Sequence, residues 1–88
     1  MTLYATISSE TFSFSVASSN KAKDDVRFKF NPSGLREVNE IKALGVLWLS
    51  KLEEIAATHP HAARELAVAR TEFQKASMFA VLGITKEV

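Results

Sequence analysis

The stretch NPSGLREVNEIKALGVLWLSKLEEIAATHPHAARELAVARTEFQKASMFAVL, residues 31–82, decides the fold. Pro32 fixes φ, lacks an N–H and biases Asn31 toward extended geometry, so Asn31-Pro32-Ser33-Gly34 is a break, with Ser33 a candidate helix N-cap. From Leu35 onward Val38, Ile41, Gly45, Trp48, Leu52 and Ile55 recur at alternating steps of three and four, the seam of a helix packed on another helix. A second break falls at Thr58-His59-Pro60, where Thr58 or His59 can cap and Pro60 suits a first helical position. Ala62, Leu66, Ala69, Phe73, Ala76 and Ala80 then form a second seam rich in small residues, which Gly83 ends. The expected frame is an antiparallel helical hairpin, helix 1 over 31–57 and helix 2 over 60–82.

Two details sharpen that frame. Gly45 costs roughly 1 kcal/mol of helix propensity relative to Ala, which close approach of the second helix would explain. Gly45-Val46-Leu47-Trp48-Leu49 is apolar on nearly every face, so helix 1 is expected to be covered on more than one side, by the sheet or by another protomer. Met78, Phe79 and Leu82 lie off the second seam and leave more apolar surface than a lone hairpin covers.

Upstream the period changes to two. Leu3, Ala5 and Ile7, then Phe12, Phe14 and Val16, then Val26, Phe28 and Phe30 alternate with polar residues, and the polar runs 8–10 and 18–25 separate them. That pattern predicts a three-stranded antiparallel meander over 1–30 with one apolar face, covered by the helices. The fold class is therefore α+β: a small N-terminal three-stranded antiparallel sheet followed by a two-helix hairpin, in a single domain over 1–88.

A chain of 88 residues buries only a little over ~60% of the surface it exposes when unfolded. With no cysteine it has neither a disulfide framework nor a thiolate metal site, so association with further copies is the expected substitute. Eleven basic and ten acidic residues give no long-range attraction to duplex nucleic acid or an anionic membrane, and no apolar run approaches the ~20 residues of a bilayer span. The first residues carry no basic n-region before a long apolar run, which points to the cytosol.

Catalytic signals are weak. His59 and His61 flank Pro60, but neither an acidic residue nor a third histidine stands at ligand spacing, so capping or surface roles fit better than metal binding. Glu53 and Glu54 adjoin in sequence yet point apart on a helix. No phosphate-binding glycine loop is present, and the serines gather in turns and on the polar strand faces. The chain reads as a non-enzyme, with no cofactor and no metal.

Two constellations suit an anionic ligand. Arg64, Ala67, Thr71 and Gln74 share a helical face, a small residue lying between a guanidinium and a hydroxyl; the same residues also suit an ordinary solvated face. Arg27 and Lys29 neighbour Phe30, Asn31 and Arg36 at the entry to helix 1, bringing cations, an aromatic ring and an amide to one junction. Phosphate binding with base stacking fits that set, and so does a charged edge strand that discourages aggregation.

Phe30-Asn31-Pro32-Ser33-Gly34, then Val38 and Ile41-Lys42-Ala43-Leu44, and later Ala69-Arg70-Thr71-Glu72-Phe73 with Ala76-Ser77-Met78-Phe79-Ala80-Val81, resemble a small bacteriophage family. Its members are the cyclic-nucleotide sponges that counter CBASS and Thoeris immunity, and the resemblance covers roughly residues 30 to 82. The expected meander fits the Thoeris-directed branch, which has a small sheet before its helical pair, better than the all-helical one. The resemblance implies a homo-oligomer, a hexamer, in the cytoplasm of the infected bacterial host. It implies sequestration without cleavage of cyclic di- or trinucleotides or cyclic ADP-ribose isomers. It implies two kinds of pocket, one between paired protomers and one near threefold contacts. Thr71 matches the family's threefold threonine, with Arg64 or Arg70 as its arginine, and Phe30 and Asn31 match the opening that serves the other pocket. Gln74-Lys75 departs from relatives that carry acidic residues there. Arg27 and Arg36 join the ligand-binding set on their chemistry alone, and Tyr4 and Lys29 are candidates on the same ground. A different class stays open: a small oligomeric structural or protein-interaction module with no nucleotide ligand, docking through Trp48, Phe79 and Leu82.

Overall fold

A computed structural model describes residues 2–86. Strands β1 (Tyr4–Ser8) and β2 (Ser13–Ala17) are followed by a short helix α1 (Asn20–Asp25) and a long helix α2 (Arg36–Thr58). A 3-10 turn (Pro60–Ala62) then leads into a second long helix α3 (Ala63–Thr85).

The strands form an antiparallel hairpin in which Tyr4 faces Ala17 and Ser8 faces Ser13. Ser9 closes its turn: the backbone N–H donates to Phe12 O at 2.7 Å, and the hydroxyl oxygen accepts from the Phe12 N–H at 3.2 Å. Thr6 and Ser15 share a hydroxyl hydrogen bond of 2.8 Å across the polar face, the kind of cross-strand pair that holds register. Val16 on the other face is buried against the helices.

The expected third strand over Val26, Phe28 and Phe30 is absent among the described residues, and the sheet has two strands. The stretch read as a polar connector folds into α1 instead. Ser19 takes an extended backbone at the N-cap, and its hydroxyl accepts from the Ala22 N–H at 3.1 Å. Ala22 and Val26, four residues apart, are both buried. Val26 thus belongs to a helical spacing, and its alternation with Phe28 and Phe30 is coincidental.

The core gathers Ala22, Val26, Val46, Leu49 and Leu52, with Leu3, Phe28, Leu66, Ala69 and Phe73 packed against it. Helix α2 is indeed covered on two sides, by α3 and by α1 with β2. For that reason its buried face includes Lys42, Val46, Leu49 and Ser50 beside the expected Val38, Gly45 and Leu52. Trp48, expected on the seam, is half exposed and stacks on Phe73 with ring centroids 5.8 Å apart. Ser50 is satisfied where it lies: its hydroxyl donates to Val46 O at 2.7 Å and accepts from the Ser19 N–H at 2.9 Å, docking the start of α1 on α2.

Asn31 organises the turn into α2. Its carboxamide oxygen accepts from the Ser33 hydroxyl at 2.7 Å and the Gly34 N–H at 3.2 Å. Its Nδ2 donates to Leu35 O and Asn39 Oδ1, each at 2.9 Å. Gly34 has φ +72°, a left-handed turn that favours glycine. Ser33 is not the helix cap; the N-cap is Leu35, whose N–H donates to the Ser33 hydroxyl at 3.2 Å.

Helix α3 runs through Gly83 to Thr85, whose hydroxyl donates to Val81 O at 2.9 Å. Part of the expected tail over 84–88 is therefore helical, and residues 87 and 88 lie outside the described residues, as does Met1. No residue of α3 is fully buried, and Phe79 is 72% exposed.

A Cβ built on Gly45 would sit 3.2 Å from Phe73 Cε1 and 3.5 Å from Val26 Cγ1. Trp48 stacks on Phe73 and limits the ring's retreat. Gly45→Val is expected to destabilise the chain by about 1–3 kcal/mol despite its better helix propensity, read as a lowered urea midpoint at an unchanged m-value.

Candidate functional site

The C-terminus of α1 begins the site. The Phe28 N–H donates to Lys23 O at 3.0 Å and the Arg27 N–H to Asp24 O at 3.1 Å, the paired bonds of a Schellman cap. Arg27 occupies the position where such a cap usually carries glycine, with φ +50°. A left-handed non-glycine residue costs roughly 1–2 kcal/mol, because Cβ crowds the following carbonyl oxygen.

Lys42, one helical turn beyond Val38 on α2, holds the loop that follows. Its residue surface is 5% exposed, and its ammonium donates to Arg27 O at 2.9 Å and also to Phe30 O. Burial, and then the neighbouring positive charge of Arg27, lower its pKa from the usual 10.5. The Phe30 ring lies over both cations, 5.5 Å from Lys42 Nζ and 5.9 Å from Arg27 Cζ.

These residues form one wall of a groove of about 850 Å³, with Asn31, Pro32 and Ser33 beside them. The opposite wall is the last half of α3, including Gln74, Ser77, Met78 and Val81. Behind the loop a second concavity of about 680 Å³ is lined by Lys23, Arg27, Phe28, Lys29 and Phe30. Arg27 and Phe30 border both. The loop thus offers the exposed Arg27 cation and an exposed aromatic ring to an anionic, ring-bearing ligand, with Gln74 and Ser77 able to hydrogen-bond from across the groove.

The structure brings Arg27, Phe30 and Asn31 together but separates the other sequence candidates. Arg36 is exposed at the start of α2, its Nε 3.7 Å from Glu40 Oε2. Arg64 and Thr71 are exposed on α3, and the Thr71 hydroxyl donates to its own helix at Ala67 O, 3.2 Å away. Arg70 is committed within the chain. With 15% of its side chain exposed, it donates from Nε to Asp25 Oδ2 at 2.8 Å, pairs again with Asp25 through Nη2, and has Nη1 3.7 Å from Glu53 Oε2.

The histidines meet edge to face with centroids 5.7 Å apart. His59 Nδ1 lies 2.8 Å from the Thr58 hydroxyl, an arrangement that closes the end of α2. Among the described residues no group of three or more His, Cys, Asp or Glu could hold a metal ion, and no helix is long and apolar enough to cross a membrane.

Lys42 and the α3 wall were not singled out from sequence as ligand residues. The available signal was the place of Lys42 four residues after Val38, a core position normally denied to lysine. Gln74 shares a sequence face with Arg64 and Thr71, yet it lines the groove.

Comparison with known proteins adds one finding: the family model described as Acb2/Tad1, hairpin domain, matches residues 20–85. The match takes in α1, α2 and α3 and leaves out β1 and β2. No curated protein and no solved structure matches.

The lowered pKa of Lys42 has a consequence for stability. Below that value the residue is charged in both states, and the folded chain alone carries the burial penalty. Between the lowered value and 10.5 the folded chain releases its proton first, so the unfolded chain binds more protons and stability rises with pH. Relative to a Lys42→Met variant, which cannot titrate there, the wild type is expected to gain stability as the pH climbs through that window. Parallel urea titrations from neutral to alkaline pH check it.

Proposed function

We propose, from the premise that this chain belongs to the Acb2/Tad1 family of phage anti-CBASS and anti-Thoeris cyclic-nucleotide sponges, that it sequesters cyclic nucleotide second messengers without cleaving them. Its ligands are cyclic di- or trinucleotides or cyclic ADP-ribose isomers, captured in the cytoplasm of the infected host. The observation that carries this reading is the corner formed by Arg27, Phe30 and Lys42. There an exposed guanidinium supplies positive charge beside an exposed ring that offers a stacking face, and the buried Lys42 ammonium holds the carbonyls of both residues. Phosphodiester charge and a base are the two features every such ligand has.

The rest of the proposal concerns assembly. Phe79 and Leu82, exposed on α3 near the groove, are read as contacts with a second copy that closes the pocket, in a homo-oligomer that the family resemblance suggests is a hexamer. Arg64 and Thr71 are read as the second ligand set, repeated around a threefold contact. Capture by such pockets needs donors held in place before the ligand arrives, and it breaks no bond. The same exposed apolar residues favour one rival, a protein-interaction module that self-associates and ignores nucleotides.

A melting screen with cyclic dinucleotides, cyclic trinucleotides and cyclic ADP-ribose isomers separates the two. A bound ligand at a hundred times its Kd adds about 2.7 kcal/mol of stability, a shift no nucleotide produces in the rival. Ligand recovered after denaturation is expected to be chemically intact; cleaved product would contradict sequestration. A variant carrying Arg64→Ala with Thr71→Val is expected to bind cyclic trinucleotides at least about tenfold more weakly and to keep cyclic dinucleotide binding. If trinucleotide affinity is unchanged, the second ligand set lies elsewhere.

A further inference from the structure

Arg27 presents a choice that folding alone does not explain. The Schellman cap of α1 needs a left-handed residue, and glycine supplies one without Cβ strain. The chain places arginine there, at φ +50°. Among the described residues its guanidinium makes no ion pair, and the side chain is exposed, 5.9 Å from the centre of the Phe30 ring. What arginine adds over glycine is a cation on the edge shared by the two concavities.

The backbone of the same residue is held by an unusually buried lysine. The ammonium of Lys42 bonds the carbonyls of Arg27 and Phe30, two residues that line the groove. Burying a charge to bind two loop carbonyls is costly unless the loop's geometry matters. Backbone strain and buried charge meet at one loop, and residues held in sparsely populated conformations gather at ligand sites.

We propose that Arg27 is a phosphodiester-binding residue retained at the left-handed cap at the expense of stability, and that Lys42 is the positioning residue that fixes that cap toward the groove. The inference rests on the sponge reading for its ligand, and on the cap geometry alone for its stability half.

Three variants test it: Arg27→Gly, Arg27→Ala and Lys42→Met. Each is melted without ligand, followed by amide exchange over 26–30, and titrated with cyclic di-adenylate, cyclic tri-adenylate and cyclic ADP-ribose. Arg27→Gly is expected to melt about 4 °C above Arg27→Ala, because the two lack the same cation and differ in backbone freedom. Both are expected to bind the probe that the wild type binds at least about tenfold more weakly. Lys42→Met is expected to exchange faster over 26–30 and to lose affinity with Arg27 still present. Equal melting of the Gly and Ala variants removes the strain, and full affinity in either removes the reason for the arginine. Wild-type affinity in Lys42→Met refutes the positioning role. A wild type that binds none of the three probes overturns the sponge reading and the ligand half together, whereas a wild type that binds while Arg27→Gly binds equally well overturns this inference only.

Discussion

The ion pair between Arg70 and Asp25 is the constraint on which the arrangement depends. A six-residue helix is far below the length that is stable alone in water. Helix α1 therefore exists because its neighbours hold it. Ala22 and Val26 anchor it in the core, Ser50 receives its first residues, and Arg70 reaches from α3 to Asp25 with Glu53 of α2 close by. Glu53 also accepts the Ser19 hydroxyl at 2.5 Å. One guanidinium thus brings acidic groups of two helices to a third, and removing it would leave two partly buried carboxylates uncompensated. The loop bearing Arg27 and Phe30 leaves the end of α1, so that ion pair, with the packing of α1 and the bonds from Lys42, sets the position of the candidate site.

The core is thin and unevenly shared. Helix α2 contributes most of the buried side chains, while α3 buries none fully. It is bound to α2 through half-buried Leu66, Ala69 and Phe73 and the close approach at Gly45. The wall of the groove that α3 supplies is consequently only partly buried. Large apolar side chains left in water at Met78 and Phe79 belong to that same wall or its rim, where burial by a ligand or another surface would be favourable.

What the sequence made legible follows from signal strength. Five-residue strands with strict alternation and helices of 23 residues each repeat their period often enough to stand out. Helix α1 offered one buried alanine in six residues, no complete amphipathic period, and an accidental alternation just after it. The three-four spacing runs the seam of α2 through Ile41 and Trp48, whereas the structure shifts burial toward Lys42 and Leu49. The second covering layer, α1 with β2, moves the buried face around the helix, and no local pattern encodes that. Asn31-Pro32-Ser33-Gly34 was legible as a break, but the asparagine's four hydrogen bonds depend on the path of the turn. Lys42 was illegible as a loop anchor because its partners are backbone carbonyls, which are present in every sequence and become an acceptor pair only after the Arg27 cap has turned them inward.

The arginines illustrate how geometry separates roles that composition leaves equal. Sequence left Arg64 and Arg70 as alternatives beside Thr71. Arg70 sits one residue before Thr71, a rotation of about 100° around the helix, and that rotation aims it inward to Asp25 and Glu53. Arg64 stands seven residues before Thr71, almost two full turns, which returns it to the same face, and both residues are exposed there. Turning Arg70 outward to a ligand would first require breaking its pairing with Asp25, which would leave α1 without its ion pair to α3. Arg64 carries no such obligation and can meet an anion without cost to the fold. The proposed second ligand set is therefore Arg64 with Thr71, and Arg70 is assigned to holding α1 in place.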